Sequence, residues 1–138
     1  MTAATKDRDL QELPGKVRSG PMEAATKVYG GTIACINAAG NITKGATSTA
    51  LTAIGVFKQS YDNSAGAAGD ITADVPRGVY GPFNNSGSAD QCLKKHAGAN
   101  CYIVDDNTVA KTDGSGTRSK AGVIYDVDAS NGVWVEFI

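Results

Sequence analysis

The chain has 138 residues and a formal net charge of −1, and its isoelectric point near 5.7 excludes the clustered basic footprint of a nucleic-acid binder. It contains no run of about 18 apolar residues, so no helical membrane span is expected, and its length suits one modest core. Eleven Val and eight Ile against four Leu, with 17 Gly and 12 Thr, mark a mostly β protein with many turns, because β-branched side chains suit a pleated surface.

Residues 1–22 carry seven charges, two prolines and no aromatic side chain. They lack an apolar h-region, so the expectation is no secretion signal and synthesis in a cytoplasm. Leu10, Leu13 and Val17 are their only sizeable aliphatic residues before Met22. That spacing suits one helical turn, which Pro14-Gly15 interrupts. The expectation is an extended arm over residues 1–26 that meets a partner through Leu10, Leu13, Pro14 and Val17, followed by a single β-domain over 27–138.

Lys27–Tyr29 and Thr32–Ile36 read as strands joined by a bend at Gly30-Gly31. Asn37–Asn41 reads as a turn into Ile42–Lys44, and Ala53–Tyr61 as a longer strand. Asp62–Asp70 has the composition of an exposed, mobile loop. Ile71–Val75 alternates like a half-buried strand that Pro76 ends; Gly78–Gly81 resumes it and Pro82 closes it. Ser88–His96 is the one helical candidate, with Ser88 as cap, Asp90 in the first turn, Lys94, Lys95 and His96 in the last, and Gly98 as terminator.

Cys101–Val104 and Thr108–Ala110 read as strands around an Asp105-Asp106-Asn107 turn. Gly122–Val127 and Val133–Ile138 form a hairpin about Asn131-Gly132. On its last strand Val133, Val135 and Phe137 share one face, and Trp134, Glu136 and Ile138 the other. Trp134 is therefore a candidate contact for a partner or a second copy. The fold expected is a compact antiparallel β-sandwich or barrel, jelly-roll-like, with one short helix and the arm.

The motifs that mimic chemistry have simpler explanations. Gly40–Thr47 has the outer spacing of a phosphate loop, but Ala46 stands where that loop needs lysine. Asp126–Gly132 starts like a calcium loop, yet its glycine is one place late and the twelfth position is Phe137. Cys92, His96 and Cys101, with Cys35, lack the tight paired spacing of structural zinc sites. Three cysteines without a secretion signal read as reduced thiols, although a Cys92–Cys101 bridge across the intervening loop is geometrically conceivable. His96 is the only histidine and no Gly-x-Ser-x-Gly elbow accompanies it. Many loop Asp residues leave paired-carboxylate chemistry open, but nothing selects a pair. No catalytic residue, cofactor or metal is expected, and neither nucleic acid nor membrane is expected as a partner.

The chain resembles the head-decoration, or capsid cement, proteins of tailed bacteriophages and prophages. The carriers are Leu51–Val56 with Tyr61-Asp62-Asn63, Arg77-Gly78-Val79, Cys101–Val109, and Ala121–Asp128 with Gly132–Val135. The resemblance implies a non-enzymatic protein on the outer surface of the mature capsid, bridging major capsid subunits. It also implies a compact β-barrel or jelly-roll-like body and self-association, with a dimer favoured over a trimer. Two other readings compete. One is a tail- or fibre-associated phage module; the other is a carbohydrate-binding β-sandwich using Trp134 and loop tyrosines.

Overall fold

A computed structural model of the chain describes residues 2–13 and 15–138. Pro14, one of the expected arm contacts, lies outside the described residues. The fold is mainly β, built as a five-stranded closed barrel and several small sheets.

The first half supplies seven short strands: β1 (Val17–Pro21), β2 (Thr26–Val28), β3 (Thr32–Ile36), β4 (Ile42–Lys44), β5 (Thr52–Phe57), β6 (Tyr61–Asn63) and β7 (Thr72–Pro76). They form a three-stranded sheet in the order β4-β3-β5 and two ribbons, β1-β7 and β2-β6. The second half supplies β8 (Val79–Asn85), β9 (Asn100–Asp105), β10 (Thr108–Ala110), β11 (Lys120–Val127) and β12 (Val133–Glu136). These close in the order β10-β8-β12-β11-β9.

One sequence, Thr32-Ile-Ala-Cys-Ile36, joins the halves. Alternation sends Ile33 and Cys35 into the barrel core and Ala34 into a second cluster with Met22, Val28, Ile42, Phe57 and Val75. A strand covered on both faces reads as a continuous apolar run, as β3 does. The barrel interior is filled by Phe83, Ile103, Ile124, Val133, Val135 and Phe137, so the face expected for the last strand is the buried one. Phe83 and Phe137 meet edge to face at 5.8 Å.

Four expectations are corrected. The arm ends earlier than residue 26: β1 pairs with β7 from Val17 opposite Pro76 to Pro21 opposite Thr72, and Met22 is fully buried. A ladder with a distant strand, not local propensity, sets this boundary. Second, the body is not wholly antiparallel. β8 and β10 run parallel, Thr108 beside Asn84 and Val109 beside Asn85, because residues 86–107 make a crossover rather than a hairpin.

Third, no helix forms over Ser88–His96, only single 3-10 turns at Ser88–Asp90 and Lys94–His96. Between them the Asn85 side chain donates to the Cys92 carbonyl and accepts from the Cys92 N–H, each at 2.8 Å. Those bonds occupy the groups a helix needs, and Ser88 sits at positive φ (57°) instead of capping. Fourth, β8 runs through Pro82 instead of ending there. The register against β12 shifts between Val133 and Val135, and that irregularity accommodates a residue that cannot donate.

The Asp62–Asp70 segment is exposed but anchored at its start. Buried Asn63 donates through Nδ2 to the carbonyls of Glu23 (2.8 Å) and Ala67 (3.0 Å). Among the described residues no helix is long and apolar enough to cross a membrane.

Candidate partner-binding surface

Among the described residues the arm carries the two most exposed large apolar side chains, and Val17 at its root follows Ile138 (73%) and Tyr125 (62%). Leu10 is 81% exposed, Leu13 84% and Val17 59%. Leu10 and Leu13 lie in a segment without regular structure, whereas Val17 begins β1. The root is bracketed by Arg77, whose backbone N–H donates to the Lys16 carbonyl (2.9 Å) and whose Nε–H donates to the Gly15 carbonyl (2.6 Å). Gly15 turns the chain there at φ 74°, a left-handed conformation that favours glycine.

β1 itself is unusual. Four of its five residues are exposed and only Gly20 is partly covered. It is held by main-chain pairing to β7 and by the Ser19 hydroxyl donating to the Asp74 carboxylate. Beside it runs a groove of about 640 Å³ whose floor is Ile54 and Val75 and whose walls include Leu13, Val17, Arg18 and Arg77. Gly55 makes the floor this close: a Cβ there would lie 2.1 Å from the Pro76 carbonyl oxygen. The groove was not foreseen from sequence, because Ile54, Val75 and Arg77 come from segments read separately. The one local sign was a cation, Arg77, set between Pro76 and Gly78.

Trp134 lies far along the chain from the arm, on the outer side of the barrel. It is half-buried, packs against Gly81, and its indole N–H donates to Asp128 Oδ2 at 3.4 Å. Asp128 also accepts from the Gly132 N–H (2.8 Å) and the Ser130 N–H (2.9 Å). The Gly132 N–H first, and the Ser130 N–H and Trp134 indole with it, hold this carboxyl below the usual carboxylate range. Its neighbour Asp126 pairs with Lys94 at 2.7 Å. Asp128 thus shapes the Asn131-Gly132 turn, while Asp126 holds Lys94 of the second 3-10 turn.

The cysteines are three free, buried thiols, so the Cys92–Cys101 bridge is not formed. Burial pushes Cys35 and Cys101 up to about 12 and Cys92 up to about 11. Among the described residues, no group of three or more His, Cys, Asp or Glu is placed to hold a metal ion. The His96 Nδ1 accepts the Leu93 N–H at 3.0 Å.

Sequence reasoning also missed Glu23. Its carboxylate accepts from the Thr43 hydroxyl (2.6 Å), the Asn37 amide (3.1 Å) and the Thr26 hydroxyl (3.2 Å). It ties the end of β1 to β2 and β4, inside a stretch that composition marked as arm.

No family model, curated protein or solved structure matches this chain.

Proposed function

We propose that the protein is a non-enzymatic virion structural protein that binds the outer surface of a mature phage capsid and bridges major capsid subunits. It is made in the host cytoplasm and ends on the particle. In this reading the barrel corresponds to the jelly-roll-like body of the head-decoration proteins. The observation that carries the reading is the uncovered arm, with Leu10 and Leu13 each more than 80% exposed beside a well-packed β body.

An extended segment adds a strand to an exposed sheet edge and gains affinity through main-chain hydrogen bonds. Ordering such a segment costs about 2–5 kcal/mol, so a single arm binds weakly. Two arms on one assembly make the second contact intramolecular and raise avidity by roughly 10²–10⁴-fold. Trp134 offers a separate contact on the outer side of the barrel.

The test is co-sedimentation with expanded phage heads, using the full chain and a chain lacking residues 2–13. The full chain is expected to pellet with heads, and the truncation to bind at least tenfold more weakly. Equal binding by both proteins removes the arm from the contact. A full chain that stays in the supernatant, or that is found on tails and not on heads, overturns the reading.

A further inference from the structure

The groove beside β1 and the segment that precedes it are complementary in charge and in apolar content. Residues 7–13, Asp-Arg-Asp-Leu-Gln-Glu-Leu, hold three carboxylates against one guanidinium, together with Leu10 and Leu13. The groove carries three cations, Lys16, Arg18 and Arg77, around an apolar floor. The molecule's own arm contributes Leu13 to the lining yet leaves Val17 largely exposed.

We propose that the groove formed by β1, β5 and β7 receives residues 7–13 of a second copy of this chain, so that two copies exchange arms. Leu10 and Leu13 are three apart, as are Asp9 and Glu12. In an extended threefold backbone each pair falls on one edge, leucines on one and carboxylates on the next. The leucines then lie along Val17 over Ile54 and Val75, while the carboxylates reach Lys16 and Arg18. Seven residues in this conformation span about 22 Å, enough to run beside Gly15–Ser19. The exchange is reciprocal, since each copy offers both an arm and a groove, and it closes as a two-fold dimer.

This contact needs no capsid, and it goes beyond the reading above by giving the arm a receptor on its own kind, from which a capsid edge must displace Leu10 and Leu13 before it engages them. Sedimentation velocity of the purified full chain across the micromolar range reads it directly. The native chain is expected to shift from monomer to dimer with concentration, and higher salt to weaken the dimer. Two charge-reversed chains, Asp9→Lys with Glu12→Lys and Lys16→Glu with Arg18→Glu, are each expected to dimerise at least tenfold more weakly. Both alter exposed side chains only, and circular dichroism checks that each stays folded. Mixed together they should form the heterodimer, because each reversed element then meets its opposite.

A native chain that stays monomeric overturns the proposal. So does a chain lacking residues 2–13 that dimerises as well as the full chain, or a mixture that fails to restore association. Head binding is measured separately, so failure there with dimerisation intact removes the capsid reading alone.

Discussion

The two halves of this molecule solve the same problem differently. The second half closes its strands into a barrel, which leaves no free edge between β8 and β12. The first half keeps short ribbons and a three-stranded sheet, and it begins with a strand whose side chains are almost all in water. Closure suits stability, whereas open edges and an exposed root suit attachment. The halves are nevertheless one structure, because β3 is packed from both sides and loop groups tie across. Thr47 donates to the Val104 carbonyl at 2.7 Å, and the Ile33 N–H to the Asp106 carbonyl at 2.7 Å.

Phe57→Ala gives the largest effect and strikes the first half alone. Phe57 is the largest fully buried side chain among the described residues, and its truncation should cost about 3–5 kcal/mol in chemical denaturation. Because β3 serves both cores, one cooperative transition is expected; two separate transitions would break the view that the halves stand together. Gly55→Ala comes next. The new methyl meets the Pro76 carbonyl, and a loss of about 1–3 kcal/mol is expected, with the groove floor displaced. An unchanged melting temperature would show that β5 and β7 are not held this tightly.

The buried thiols sharpen the comparison through pH. Cys35 has its ordinary value of 9.0 raised to about 12 in the fold, so the unfolded thiol loses its proton first. Stability should be fully present below pH 9 and decline as pH rises toward 12. At pH 8 none of the three thiols should react with iodoacetamide in the native protein, and all three should react in denaturant, counted by mass. Rapid labelling of the native protein would mean that the barrel opens more readily than its packing implies. Lys94→Ala closes the series: its pair with Asp126 is well exposed, and its removal should leave the denaturation midpoint essentially unchanged.

What was legible in the sequence follows the same division. Val133, Val135 and Phe137 alternate on a strand that local chemistry defines, and Asn131-Gly132 announces the turn before it. Barrel strands therefore read well. β1 did not: Val-Arg-Ser-Gly-Pro has no apolar alternation and becomes a strand only because β7 offers a ladder from fifty residues away. Ser88–His96 carried every local helix signal, yet two hydrogen bonds from Asn85 outweighed them. The groove was invisible for the same reason, since its floor and cations converge only when β1, β5 and β7 do.

The position of Met22 has a mechanical meaning. A tension on the arm enters at the Arg77 bracket, passes along β1 and ends at a side chain plugged into the core. A pull along the strand loads all five pairings with β7 at once, while a pull across it peels them in turn. The anchor is therefore strong in one direction and releasable in another, and the angle at which the arm leaves the body decides which.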